Sequence, residues 1–169
     1  MMQEYLVIVS SVNQNMSLAK SIVEELSSLG KSAEIIDIVR LDLPMYTSVL
    51  EEASGIPSVV KEIVAQMQSV EGYIFVAPEY NYSIPPTLTN YVAWISRVGD
   101  DFRALFNEKV VLNATFSGGG GDDVLNAMRI QFTRLGGVVI PREVKVNYQQ
   151  ALNQKSLQKT LKQFIKYSN

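Results

Sequence analysis

One stretch decides the fold: residues Tyr73–Pro85, with the sequence YIFVAPEYNYSIP. Its first part, Tyr73–Ala77, is a continuous apolar run, as expected of a strand buried on both faces of a parallel sheet. Beyond Pro85, apolar residues recur at helical spacing over 88–95. The polar segment 78–85 is therefore predicted to be a loop from a strand to a helix at the carboxyl edge of the sheet, where open α/β sheets bind ligands.

Outward from this stretch, short apolar runs alternate with segments of helical spacing. Such runs predict five strands, at 5–9, 33–38, 72–77, 109–115 and 138–146. Apolar stripes predict five helices, over 19–29, 59–67, 88–95, 124–135 and 157–165, and 39–57 is expected to be a long loop with one irregular turn. Regular alternation favours one domain, residues 1–169, with a parallel sheet covered on both faces. Five strands predict the order 2-1-3-4-5 and a switch point between the first and third strands.

Composition restricts the chemistry. The chain has no histidine and no cysteine, which excludes Ser-His-Asp hydrolysis, cysteine nucleophiles and His- or Cys-based metal sites. An enzyme of this composition needs carboxylates, Tyr, Lys, Ser or an organic cofactor, and a flavin suits that constraint. The net charge of −2 gives no electrostatic reason to expect a nucleic-acid partner, and no apolar stretch is long enough to span a membrane. Because Met1–Tyr5 lacks a basic region, we expect no signal peptide and a cytoplasmic location.

Three loops are predicted to meet at the switch point. The first, Ser10–Ser17, has Ser or Asn at five of eight positions and opens a helix, which predicts an anion site unless Asn15 or Ser17 simply caps the helix. The second, Pro78–Ser83, suits a flat ligand with polar edges, the alternative being a rigid connection. The third, Ser117–Asp123, contains four glycines that allow close backbone approach, the alternative being a flexible turn. Asp122 or Asp123 is expected to cap the helix that follows.

At these residues the chain resembles the NADPH-dependent FMN reductase family, small flavodoxin-like quinone and chromate reductases. The family pattern Pro-Glu-Tyr-Asn-Tyr-Ser-Ile-Pro is present at 78–85, and a helix with Trp-Ile-Ser-Arg follows at 94–97. The resemblance implies a three-layer α/β/α, flavodoxin-like fold around a five-stranded parallel sheet. It also implies an FMN-dependent oxidoreductase that carries two electrons from NADPH or NADH to a small-molecule acceptor such as a quinone. No catalytic side chain and no metal are implied, because hydride chemistry takes place on the flavin.

The resemblance also assigns the residues that would bind FMN. They are Ser10, Ser11, Asn13, Asn15, Met16 and Ser17 in the first loop, Pro78, Glu79, Tyr80 and Asn81 in the second, and Ser117, Gly118 and Gly119 in the third. The family's usual first-loop arginine is absent, and Asn13 stands near its position. The resemblance further implies a homodimer or homotetramer, in which we expect one of Tyr91 and Trp94 to lie in the core and the other at an interface.

Two other functions of the same fold stay open. One is an FMN-binding electron carrier without room for a nicotinamide, although such carriers usually have strongly acidic surfaces and this chain does not. The other is a flavin-free interaction scaffold, which the altered first loop keeps open. A receiver-like signalling domain is excluded, because it needs a cluster of acidic residues after the first strand and an aspartate after the third, where this chain has Ser10–Ser11 and Pro78–Glu79.

Overall fold

A computed structural model describes residues 3–168; Met1 and Met2, part of the segment used to predict location, lie outside them. The elements in chain order are β1 (Tyr5–Val9), α1 (Gln14–Ser28), β2 (Ala33–Asp37), α2 (Ser48–Ser54), α3 (Ser58–Ser69), β3 (Gly72–Val76), α4 (Pro86–Ile95), β4 (Val110–Ser117), α5 (Asp122–Arg134), β5 (Val138–Val139), β6 (Val144–Asn147) and α6 (Gln154–Ser168). Among these helices, none combines the length and the apolar character needed to cross a lipid bilayer.

The strands form one parallel sheet in the order β2-β1-β3-β4-β5, with β6 also paired to β4. The predicted order is confirmed, and the switch point lies between β1 and β3. Val9 is level with Val76, and Val76 is level with Ala114, so the end of β1 lies beside the end of β3, which in turn lies beside β4. The loops that follow these three strands therefore leave from the same edge of the sheet.

Helices cover both faces of the sheet, each over its own hydrophobic cluster. Because side chains alternate along a strand, β1 sends Leu6 and Ile8 to the face covered by α3, α4 and α5, and Val7 and Val9 to the face covered by α1 and α6. Every residue of β1 and β3 is buried, which explains their continuous apolar sequences. The predicted three-layer α/β/α architecture is confirmed.

The predicted strand over 138–146 is wrong as a single strand. β5 pairs with the beginning of β4 and β6 with its end, and the chain leaves the sheet between them at Pro141, which has no N–H to donate. Arg129 of α5 binds the main-chain carbonyls of this break, with its guanidinium 3.0 Å from Ile140 O and 3.4 Å from Pro141 O. Glu143 completes the arrangement with an ion pair to Arg129 at 2.6 Å. The two short strands together occupy the fifth position of the predicted order.

The segment 39–57 contains a short helix, α2, where a loop with an irregular turn was predicted. Thr47 caps it by accepting a hydrogen bond from Leu50 N–H at 3.0 Å, and Gly55, with φ of 72°, ends it. None of its residues is buried, so hydrophobic spacing carried no signal for it.

Tyr91 and Trp94 are both buried within this chain. The Trp94 indole N–H donates to Pro44 O at 2.7 Å, and the Tyr91 hydroxyl donates to the sulfur of Met67 at 3.2 Å. The expectation that one of the two faces another copy is therefore wrong.

Candidate functional site

Ser10 links the first loop to β3 and α4, the two elements on either side of the second loop. Its N–H and its hydroxyl both donate to Val76 O, at 3.0 and 3.3 Å, and its carbonyl accepts from the Thr87 hydroxyl at 2.9 Å. The residue is buried, so its hydroxyl hydrogen is used within the protein. Ser10 therefore positions the loop.

Asn15 ties the first turn of α1 to the end of β4. Its amide nitrogen donates to Phe116 O at 3.0 Å, and its amide oxygen accepts from Phe116 N–H at 2.8 Å. β3 does not supply these bonds, because its last main-chain hydrogen bond to β4 runs from Ala77 N–H to Ala114 O. The buried side chain of Asn15 thus takes the place of a strand residue, and it is not available to a ligand.

The start of α1 carries unused main-chain donors. Asn13 is the N-cap residue, with φ of 59° and ψ of −115°, and no side chain caps the helix, so the alternative that Asn15 or Ser17 caps it is wrong. Within residues 3–168, the amides of Gln14, Asn15 and Met16 therefore have no capping partner. Together with the positive end of the helix dipole, they can bind an anion.

The second loop is a tight, two-residue turn that exposes tyrosines. Tyr80 and Ser83 exchange two main-chain hydrogen bonds, at 3.1 and 3.0 Å, and the residues between them, Asn81 and Tyr82, have φ of 50° and 59°. Positive φ at both central residues is typical of a type I′ turn. Asparagine tolerates this conformation, whereas tyrosine rarely adopts it. The turn leaves Tyr80 and Tyr82 exposed at the edge of the sheet.

Glu79 joins the second loop to the third. Its carboxylate accepts from the Ser117 hydroxyl at 3.3 Å and from Val124 N–H, in the first turn of α5, at 3.3 Å. A carboxylate at a helix start is stabilised by the dipole. The expectation that Asp122 or Asp123 caps α5 is wrong: Gly121, with φ of 81°, occupies the N-cap.

The segment 43–46 is held against α4 on the same side of the molecule. The Asn90 side chain accepts from Tyr46 N–H at 2.8 Å and donates to Pro44 O at 3.0 Å. The Tyr46 hydroxyl also donates to Glu51, whose pKa is lowered chiefly by its hydrogen bonds from Arg97 and further by this one. The same hydrogen bond raises the pKa of Tyr46.

The third loop forms one wall of a cavity of about 300 Å³, lined by Gly118–Gly120 on one side and Asn147–Gln149 on the other. Ser117 precedes this wall and is buried, and its oxygen accepts from Gly119 N–H at 3.0 Å. The segment 147–149 was missed in the sequence. Its signal was its place after the last strand, at the same edge of the sheet as the other loops.

The thirteen residues assigned to FMN divide into two groups. Ser10, Asn15, Pro78 and Ser117 are buried; Ser11, Asn13, Met16, Ser17, Glu79, Tyr80, Asn81, Gly118 and Gly119 are exposed or half-buried. The hydrogen bonds of Ser10, Asn15 and Glu79 bring the three loops together. Of the thirteen, only Gly118 and Gly119 line the cavity.

The chain is similar to known proteins in both sequence and fold. A model of the family described as NADPH-dependent FMN reductase matches residues 4–151. A quinone reductase of Escherichia coli is 37% identical over 59 residues, which cover 35% of this chain but only 31% of that protein's length. An FMN-dependent NADH:quinone oxidoreductase of Shewanella frigidimarina is 28% identical over 168 residues, covering 86% of this chain and 84% of the relative. A flavoenzyme NAD(P)H:(acceptor) oxidoreductase from Paracoccus denitrificans shares the fold, with a TM-score of 0.80 at 19% identity over 97% of this chain and 96% of that one.

Proposed function

The chain belongs to the NADPH-dependent FMN reductase family, and from this premise we propose that it is an FMN-dependent NAD(P)H oxidoreductase that reduces a quinone or a similar acceptor. The names of its relatives support this activity. The observation that carries the proposal is the joining of three loops at the switch point between β1 and β3, where α/β sheets bind ligands.

The residues at this edge fit the two ends of FMN. The phosphate needs several donors, and the uncapped amides of Gln14–Met16 supply them without a basic side chain in the loop. The ring system needs a flat surface with main-chain polar groups, which the exposed Tyr80 and Asn81 and the exposed backbone of Gly118–Gly119 provide. When bound, FMN supplies the hydride chemistry.

The protein's own residues contribute orientation. Asn15 holds the phosphate loop against β4, and Glu79 with Ser117 holds the second loop against the third. Since these contacts are made between residues of the protein itself, we expect them to limit the ordering cost of binding. We propose no side chain as a proton donor or acceptor.

The experiment is an absorbance spectrum of the purified protein after FMN is added and the excess removed, followed by anaerobic addition of NADPH. We expect about one flavin per chain and rapid bleaching of its absorbance. Retained flavin that bleaches only through a partner reductase would indicate an electron carrier. A protein that retains no flavin would indicate a scaffold, and the proposed activity would be wrong.

We also propose that the enzyme is a cytoplasmic homodimer or homotetramer and that residues 1–169 form a single domain. The exposed side chains of Met45 and Val49 support an interface beside the segment 43–46. Light scattering measures the mass of the assembly, and a monomer would contradict it. Cell fractionation tests the location, and a single cooperative unfolding transition tests the domain count.

A further inference from the structure

We propose that the cavity between Gly118–Gly120 and Asn147–Gln149 binds the ring of a neutral quinone and so forms a docking subsite for the acceptor. The choice of a quinone rests on the proposed function. The cavity lies directly beside the loops assigned to FMN, because a Cβ on Gly119 would lie 3.3 Å from the Glu79 carboxylate. Its volume, about 300 Å³, is at the small end of ligand pockets and suits one or two fused rings.

The wall formed by residues 147–149 is a turn held by its own hydrogen bonds. Asn147 and Gln150 exchange main-chain hydrogen bonds at 3.0 and 3.2 Å, and the Asn147 side-chain oxygen accepts from the amides of Gln149 and Gln150 at 2.9 and 2.7 Å. Tyr148 stands on this turn and is 76% exposed, yet its ring packs edge-on against Phe116 with centroids 5.2 Å apart. An exposed aromatic ring held in place in this way can contact a flat ligand at low entropic cost.

The opposite wall offers donors and space. Across residues 3–168, the amides of Gly118 and Gly120 have no protein acceptor, whereas the Gly119 amide is bound to Ser117. A Cβ on Gly118 would meet nothing within 4 Å. A quinone carries carbonyl acceptors on a flat ring, which matches N–H donors beside an aromatic wall.

Charge argues against a dinucleotide in the same place. The six lining residues carry no charged side chain. Lys145, the cation on the adjoining β6, is already paired with Asp122 at 2.8 and 3.0 Å. The phosphates of a dinucleotide would therefore find no free cation in this wall and only two free amides in the third loop, against three at the start of α1, whereas a neutral quinone needs no more than these.

The test is calorimetric titration of the oxidised, FMN-loaded protein with naphthoquinone, without NAD(P)H. We expect Tyr148→Ala to weaken binding about tenfold, the size of an aromatic contact, and Tyr148→Phe to keep it. Gly120→Leu should abolish binding by filling the cavity, since a Cβ at this residue would meet only the end of the Asp122 side chain, at 3.6 Å. Tyr167→Ala, at a half-exposed tyrosine on α6, is the matched control and should change nothing. The FMN affinity of each variant, measured by flavin fluorescence, should equal that of the wild type.

Three results would overturn the proposal. The first is that the wild type does not bind naphthoquinone. The second is that the wild type, Tyr148→Ala and Gly120→Leu bind it equally. The third is a parallel loss of FMN affinity in these variants, which would assign the cavity to the flavin. Titration of the flavin-free protein separates this proposal from the proposed function. If the flavin-free protein binds naphthoquinone and the binding depends on Tyr148, the subsite is supported even when the activity is absent. If the protein oxidises NADPH but shows no such naphthoquinone binding, the activity stands and the subsite is refuted.

Discussion

Replacing Asn15 by alanine should destabilise the fold by about 2–4 kcal/mol. The side chain makes two hydrogen bonds to Phe116, and its removal leaves one main-chain N–H and one carbonyl without a partner in a partly buried place. Leaving a buried polar group unsatisfied costs ~1–3 kcal/mol, and the partial exposure of Phe116 puts each of the two groups in the lower part of that range. This loss is a large fraction of the ~5–15 kcal/mol that stabilises an ordinary domain.

The assay is urea unfolding, with FMN affinity measured on the same samples. Asn126→Ala is the matched control, since Asn126 is an exposed asparagine in α5 and its replacement should stay within ~0.5 kcal/mol. FMN affinity should fall in Asn15→Ala and not in the control, because Asn15 orients the loop that would bind the phosphate. If the two variants unfold at the same urea concentration, Asn15 does not replace a strand residue and our account of this edge is refuted.

Three further predictions concern other contacts. Glu79→Gln should lower the free energy of unfolding by ~0.5–1 kcal/mol, measured by thermal denaturation, because a neutral amide loses the interaction with the start of α5; an unchanged melting temperature would contradict this. Arg129→Ala should cost ~2–3 kcal/mol in urea unfolding because the carbonyls between β5 and β6 lose their donor, and Arg129→Lys should recover only part of it. The hydrogen bond from Lys31 lowers the pKa of Glu4, so its contribution is present above the unfolded pKa and is lost as the pH falls through the folded pKa. In Glu4→Gln, the urea midpoint of unfolding should therefore fall less steeply as the pH is lowered. An unchanged fall would contradict a stabilising Glu4–Lys31 pair.

The alternation of strands and helices was sufficient to predict the sheet order, because each strand is a short run buried on both faces. It failed where an apolar run continued across a proline: in Val138–Val146 the proline at 141 ends the pairing, and strand interiors disfavour proline for this reason. It also failed for α2, whose signals were the cap at Thr47 and the glycine at 55 and not an apolar face. In both cases a proline, a glycine or a capping residue decided the local structure, and the hydrophobic pattern did not predict it.

The sequence was sufficient to predict which three loops form the candidate site, but not which partners their side chains bind. Ser10, Asn15 and Glu79 bind partners 66, 101 and 38 positions away in the chain, and no local pattern encodes such pairs. For the same reason the sequence did not single out Tyr148, which reaches the third loop only because β6 pairs with the end of β4. The residue types predicted which loops are rich in polar groups. Hydrogen bonds between residues distant in the chain decide which of these groups remain unpaired.

The distribution of backbone strain separates this edge of the sheet from the rest of the fold. Among residues 3–168, five residues other than glycine have positive φ: Asn13, Asp42, Asn81, Tyr82 and Glu108. Four of them lie in loops that follow β1, β2 and β3 at the carboxyl edge. Such conformations cost on the order of 1–3 kcal/mol each and persist only where surrounding contacts impose them. Here the buried bonds of Ser10 and Asn15 hold the loop on either side of Asn13, and the paired main chain of the second loop holds Asn81 and Tyr82. The edge that would bind the flavin is thus held in shape by the rest of the protein, which is what a pre-organised binding site requires.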